Sequence, residues 1–593
     1  MNLDHVKQIF RGYYLAIIFC LLIGLIYIAP AVYFAVNPEN NYRGIVLLGA
    51  PDAEHYLVTI HAIYERGFVG NPYIKEHSIS GLNNYYYLIE YFLGYTAKIF
   101  HLTIANLFTL STFVFPVIIF LIVYFFVFQL TRQKYDSLLA AILVLLGNEM
   151  MSLNPMTILR NIMWRGDLNE FLTYSRPVNP QISSVFFFIA LYAVFKVYTN
   201  PRSRTAVILC GLAIGVTAYL YFYFWAFALM LCGLLLISGL FKRDNKMFVS
   251  FLTTSVISLV VASPFLLKMF GALISVSGEL AARSGVVRSY VVSHQFIFEK
   301  IIIFPILIFI GYFIYRYKFG DKRDLGGMPN RYIFLFFLLL TAFVASNQQV
   351  LTGKLIQQHH FHFFTNIPVF LIVIAIVISD FARKYFHKAA GAISIVLIII
   401  VMSHAIGIQA SSYKFWQPSY AYFQNYAAIF TWLNKNAAQN SVVAANDTLS
   451  EMTPIYTADY VYSATHAAVY PLPAERLSHN YFISLRLRGV KENEAKGYFY
   501  NKKIRDEVGM YIFGGQQWRD RCGSYGCFPD MMLDVIIEQY IIFLKNPVEQ
   551  NFKQYKIDYF VWDKNREPEW RVGELKFLKP VFEYQNIVIY RVI

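Results

Sequence analysis

The sequence predicts an α-helical polytopic membrane protein of about 11 transmembrane helices with a C-terminal extracytoplasmic α/β domain. Three observations predict it. Of 593 residues, 57% are hydrophobic and only 15% charged, a balance typical of membrane chains. Apolar runs of about 17 to 25 residues recur through the first 409 positions, each long enough for roughly 30 Å of hydrocarbon. Beyond residue 410 the composition turns polar and mixed.

Taken in order, the runs fall near 14–36, 107–130, 136–152, 182–199, 205–220, 223–241, 248–266, 297–315, 331–346, 363–380 and 389–409. Lys7 and Arg11 precede the first run, which has no small-residue cleavage site, so it reads as a retained helix. The stretch 205–241 carries no charge and is about two spans long, so it divides at 219–223, where tyrosines suit an interface. Lys7 with Arg11, Arg132 with Lys134, Lys196 with Arg202 and Arg204, Lys242 with Arg243 and Lys246, 316–323, and 383–388 occupy alternate loops. The positive-inside rule makes that side cytoplasmic and accounts for the net charge of +15 without nucleic acid as a partner. The loops 37–106, 153–181, 267–296 and 347–362 are then outside. An odd number of spans places the C-terminal part there too, giving a membrane domain over 1–409 and an extracytoplasmic domain over 410–593. Within the large first loop, 82–102 is tyrosine-rich and apolar but holds Glu90 and Lys98, which predicts an interfacial helix.

Ionisable and amide side chains crowd the outer loops. The first carries GAPDAEHYLVTIH, with Asp52, Glu54, His55 and His61. The second, RNIMWRGDLNEFLTYSRPVNPQ, holds Arg165, Asp167 and Arg176; the fourth, SNQQVLTGKLIQQHHFHFF, holds Gln349, Lys354, Gln358, His359, His360 and His362. Loops on one face of one bundle can converge on a single cavity.

A first transmembrane helix, an outer loop with an acidic motif, many further helices and a soluble C-terminal domain together resemble the GT-C superfamily of integral-membrane glycosyltransferases. The stretches NQQVLTGKLIQQHHFHFF and RPVNPQ, each before an apolar run, are similar to patterns in uncharacterised bacterial proteins of that type. The resemblance implies sugar transfer from a polyprenyl-phosphate donor to a glycan, lipid or protein acceptor, with membrane lipid as surroundings and an interfacial helix in the first loop. It also implies an acidic catalytic base in that loop: Asp52, with Glu54 the second choice. The chemistry agrees. A carboxylate can take the proton of an attacking hydroxyl, and Arg, Lys or His must meet the departing phosphate. Arg165, Arg176 or Lys354 suits the phosphate, and His359, His360 or His362 phosphate or sugar hydroxyls. One base suffices for an inverting displacement. The DxD of several relatives is replaced here by Asp52-Ala53-Glu54, so no cofactor is specified and a divalent metal stays open.

Plainer readings stand beside these. Asp52 also fits a helix N-cap with acidic first-turn residues. The histidines fit an interface, Arg165 and Asp167 an ion pair holding their loop, and the aromatic stripes core or lipid-facing packing. A transporter or flippase of lipid-linked glycan, or a non-catalytic scaffold, shares the topology, but the spans are almost uncharged and show no internal repeat. In the C-terminal part, 426–436 and 549–555 read as helices, 441–445, 557–562, 581–584 and 587–592 as strands, and 446–448 as a turn. Cys522 and Cys527 are spaced for a disulfide if that part is outside the cytoplasm.

Overall fold

The computed structural model describes residues 3–50, 52–67, 70–78, 87–151, 169–275, 287–288, 294–298, 300–319, 328–353, 355–356, 358–470, 472–513, 518–519 and 522–593. Arg165, Asp167 and Lys354 lie outside the described residues.

Each of the eleven apolar runs contains a helix. Helix α1 spans Leu3–Val36; α2, Ala53–Arg66, and α3, Leu88–Ile99, follow in the first loop. The bundle continues with α4 (Ile104–Thr131), α5 (Lys134–Leu146), α6 (Ser183–Thr199), α7 (Arg204–Leu220), α8 (Phe222–Phe241) and α9 (Asn245–Ser275). It closes with α10 (Lys300–Phe319), α11 (Met328–Ser346), α12 (Ile367–Tyr385) and α13 (Ala390–Phe423). Six described helices are long and apolar enough to cross a membrane: Tyr13–Val36, Ile104–Thr131, Phe222–Phe241, Asn245–Met269, His359–Tyr385 and Ala390–Phe423. Four shorter apolar helices accompany them. This is a multi-pass membrane protein.

The expected span at 136–152 is shorter than anticipated. Helix α5 has 13 residues, about 20 Å at 1.5 Å per residue, and Leu138–Leu146 is almost wholly buried. It is a central helix wrapped by its neighbours, so its apolar run reports protein packing as much as lipid. Small residues set the tightest approaches. A Cβ on Gly211 would lie 2.6 Å from Ile257 of α9, and one on Gly215 2.5 Å from Val261, so this Gly-xxx-Gly pair lets α7 and α9 touch along one face. Not every span is free of charge. At the end of the bundle away from α2, Asp380 accepts hydrogen bonds from Tyr312 (2.7 Å), Tyr332 and Arg383 (3.2 Å); Arg383 also pairs with Asp136.

Helix α13 runs past residue 409 without a break and carries the chain into the C-terminal part, where α14 (Tyr426–Asn436) follows at once. Strand β1 (Val442–Ala444) leads to α15 (Asp447–Tyr456) and β2 (Tyr460–Val461). A helical stretch beginning with α16 (Ala474–Leu487) precedes β3 (Tyr559–Asp563), β4 (Leu578–Tyr584) and β5 (Ile587–Val592). The sheet order is β2-β1-β3-β5-β4, parallel across the first three and antiparallel beyond. The turn expected at 446–448 is instead the start of α15: Asn446 caps it, its side chain accepting from the Leu449 N–H at 2.9 Å. Cys522 and Cys527 are disulfide-bonded, their Cα atoms 6.4 Å apart.

The first loop and the C-terminal part share one core. Ile45 to Leu48, Leu57 and Tyr73 are buried in the same cluster as Tyr420, Tyr426, Val461 and Tyr470. Polar links follow the same seam: the Val461 N–H donates to the Tyr73 carbonyl (2.8 Å), Gln424 donates to the Ile45 carbonyl (2.9 Å), and the fully buried Arg476 pairs with Glu76 (2.7 Å). This seam positions the site.

Candidate active site

Asp52 stands at the N-cap position of α2 but does not cap it. Its backbone is left-handed (φ 57°) and its carboxylate makes no hydrogen bond to the helix. Instead Oδ2 accepts from Arg176 Nη2 at 2.8 Å and Oδ1 lies 3.3 Å from His466 Nε2. The hydrogen bond from His466 is the strongest influence on its acidity; burial opposes it and the Arg176 charge adds to it. Together they hold Asp52 well below the usual carboxylate range. About half of the side chain, 51%, still reaches solvent, so this hold is weaker than the same pair in a dry site.

Arg176 comes from the second loop. Glu149, just after α5, accepts from both the backbone N–H and the hydroxyl of Thr173, each at 2.7 Å. That fixes the turn Thr173–Ser175 immediately before the arginine. The guanidinium lies 5.5 Å over the ring of Tyr56 and 5.9 Å over that of Phe364, a cation–π setting. Its buried Nε–H has no hydrogen-bond partner.

His466 comes from the C-terminal part, 414 residues from Asp52. Its Nδ1 is 3.0 Å from Glu451 Oε2, close but not aligned as a hydrogen bond, while its backbone N–H donates to Glu451 Oε1 at 2.8 Å. Burial disfavours the imidazolium. The nearby Glu451 charge and the hydrogen bond to Asp52 outweigh it, pushing His466 up to about 11. Sequence reasoning missed both residues. The only signal was an Asp447/Glu451 pair four apart before a lone histidine.

His55, one turn into α2, packs its ring 5.4 Å from Tyr470 and 5.9 Å from His466. Burial and then the His466 charge hold it down at about 4, so it is neutral at physiological pH. Glu54 turns elsewhere: Tyr420 donates to it at 3.3 Å, and burial raises its carboxyl. Residues two apart on a helix do not share a face, so Asp52 and Glu54 do not form a paired-carboxylate clamp.

The fourth loop contributes unevenly. His360 hydrogen-bonds Tyr221 through Nδ1 and packs 4.7 Å from Tyr223, next to Phe364 and so beside Arg176. His362 lies in a π-helical turn, His362–Asn366, with its ring against Phe363 and a buried Nδ1 that makes no hydrogen bond. His359 is exposed. Gln349 is fully buried and donates to the Gln295 carbonyl of the third loop (3.3 Å) and to Asn347 Oδ1 of its own (3.4 Å). Gln358 is placed by its backbone in the turn Gln358–Phe361. The structure therefore gathers Asp52, His55, Arg176 and His360, adds His466 and Glu451, and leaves Gln349 apart.

Among the described residues, no group of three His, Cys, Asp or Glu side chains is placed to hold a metal ion. Both Asp52 oxygens already face cationic side chains, so the residues present do not fit a divalent ion at this carboxylate. Compared with solved structures, the chain aligns over 98% of its length with 98% of ArnT from Cupriavidus metallidurans bound to undecaprenyl phosphate, at 9% identity and a TM-score of 0.47. It aligns over 94% of its length with 70% of an Archaeoglobus fulgidus oligosaccharyltransferase in the apo form, at 12% identity and a TM-score of 0.44. No protein-family model matches the chain, and no curated protein matches it by sequence.

Proposed function

We propose that this protein is a membrane glycosyltransferase that moves a hexosyl or pentosyl unit from a polyprenyl-phosphate donor to an extracytoplasmic acceptor, with inversion at the anomeric carbon. The observation that carries this reading is the Asp52 carboxylate held between Arg176 and His466, where Arg176 keeps one buried N–H unpartnered. In this reading the α2 end of the bundle faces outward from an inner or plasma membrane, and the N-terminus is cytoplasmic.

An acceptor hydroxyl beside Asp52 gives its proton to the carboxylate as its oxygen attacks the anomeric carbon. The sugar–phosphate C–O bond breaks with its electrons going to the phosphate, whose growing charge meets Arg176. Paired as it is, Asp52 is fully ionised but a weak base. A phosphate that draws Arg176 away weakens the hold on Asp52 and raises its basicity, so donor binding readies the base. The apolar, aromatic surroundings of Arg176, with Tyr56, Phe364 and His360, suit a phosphate entering from the lipid side.

The test is Asp52→Asn in a reconstituted transfer assay. The variant keeps the shape and loses the base, and the expected fall is about 10²- to 10⁴-fold in kcat/KM. Full retained activity removes Asp52 from the role.

A further inference from the structure

A cavity lies in the C-terminal part, separated from Asp52 by one loop. Its volume is about 180 Å³, smaller than drug-sized pockets of ~300 Å³ or more. It opens at the carboxyl ends of the parallel strands β1 and β2, where Ala444 to Asp447 and Tyr462 to Thr465 leave the sheet, and α16 covers one side. Crevices outside the carboxyl ends of parallel strands are the usual ligand sites of open α/β sheets.

The wall has two kinds of group. Tyr481 and Tyr511 stack at 6.0 Å and Trp570 packs 5.6 Å from Phe560, giving flat apolar faces. The Trp570 indole is buried and its N–H has no partner, a rarity that calls for an explanation. Asp447 and Glu567 also line the cavity. Burial and the neighbouring Glu451 push Asp447 up to about 6; burial and Glu569 push Glu567 up to about 7. Near neutral pH Asp447 accepts hydrogen bonds, while Glu567 both accepts and donates them.

The charge pattern selects among ligands. The N-terminus of α15, a place where a phosphate could bind, is already taken by the Asn446 cap and by Asp447. The cationic side chain in the wall, Arg488, is already paired with Glu507 at 3.2 Å. Anions are disfavoured, and flat apolar faces flanked by hydrogen-bonding carboxyls match the two faces and the hydroxyl edge of a pyranose ring. The wall also touches the candidate active site. Asp447 Oδ1 accepts from the Thr465 hydroxyl (2.7 Å) and backbone N–H (3.1 Å), and the next residue is His466. We propose that this cavity binds one non-acidic sugar unit of the acceptor and, through the loop at 462–466, presents the acceptor to Asp52. The proposal rests on the transferase reading for its purpose, but not for the binding itself.

The experiment is saturation-transfer NMR on the full chain in lipid nanodiscs. The probes are the methyl glycosides of glucose, mannose and N-acetylglucosamine, with methyl glucuronide as the acidic control. At least one neutral glycoside is expected to bind saturably and the glucuronide not. Ser484→Trp, at the half-buried mouth, and the near-isosteric Glu567→Gln should each weaken binding at least about tenfold (~1.4 kcal/mol), while Asp52→Asn leaves it unchanged. The proposal is overturned if no neutral glycoside binds more tightly than about 10 mM, or if binding survives both cavity variants. If Asp52→Asn abolishes transfer and no glycoside binds, the cavity assignment alone fails. If a glycoside binds as expected and Asp52→Asn transfers normally, the base assignment alone fails.

Discussion

Glu451→Gln should bring the titration of His466 into the pH profile of transfer. The carboxylate lies 3.0 Å from His466 Nδ1. At that distance a unit charge pair is worth about 1.4 kcal/mol in a water-like dielectric and about 5.5 kcal/mol at an effective dielectric of 20. At 1.36 kcal/mol per pH unit, removing the charge lowers His466 by about one to four units from its value of about 11. Only 24% of the His466 side chain and 9% of Glu451 is exposed, so the larger part of that range applies and deprotonation moves toward pH ~7 to 8. Glutamine keeps the acceptor for the His466 backbone N–H, so the loop retains its path. The assay is kcat/KM for transfer from pH 6 to 10: the parent profile shows no titration of His466 in this range, and in the variant activity rises as His466 becomes neutral and its hold on Asp52 loosens. Stability should follow the same sign. A histidine whose folded value is raised stabilises fully below its ordinary ~6.5 and loses that contribution as pH climbs through the folded value, so the variant's alkaline stability should fade earlier. A parent titration of His466 near 6.5, or superimposable profiles for parent and variant, would refute the reasoning.

Three further outcomes follow from the same geometry. Arg176→Gln removes charge-assisted hydrogen bonds of about 1.5–3 kcal/mol, so kcat/KM should fall about 10- to 100-fold with the donor KM rising; less than a twofold change contradicts the phosphate role. Gly49→Ala places a Cβ against the Phe171 ring and 2.9 Å from Trp416 at a φ of +74°, which should cost about 1–3 kcal/mol and lower the thermal midpoint measurably. Arg476→Met leaves Glu76, 30% exposed, without its 2.7 Å partner. The expected loss is about 3 kcal/mol, read as faster limited proteolysis of the first loop; unchanged cleavage counts against the seam.

Hydrophobic runs reported the helices well because each apolar stretch had to be buried in lipid or in protein, and both demands make helix. They could not separate the two, which is why α5 read as a span although its neighbours wrap it. Asp52 and Arg176 were legible because charged side chains next to apolar runs need water or partners. Glu54 turns instead toward Tyr420, since two carboxylates two residues apart in the string diverge on a helix. His466 and Glu451 were out of reach for another reason. Their meaning lies in a contact spanning 414 residues, and the spacing of Asp447 and Glu451 before a lone histidine does not point to Asp52. Asn446 could have been recognised: an Asn before DTLSEM fits an N-cap as well as a turn, and the downstream apolar spacing of Leu449, Met452 and Ile455 favours the helix.

The shared core between the first loop and the C-terminal part has a consequence in time. A ribosome adding about 5–20 residues per second needs roughly 20 to 80 s to travel the 414 residues between Asp52 and His466. Throughout that interval Ile45, Leu48 and Tyr73 stand without the surface that will cover them. The newborn chain therefore passes through a stage in which its apolar helices are made while Asp52 has not yet met His466. A chain truncated before residue 466 carries the described membrane helices and lacks that contact.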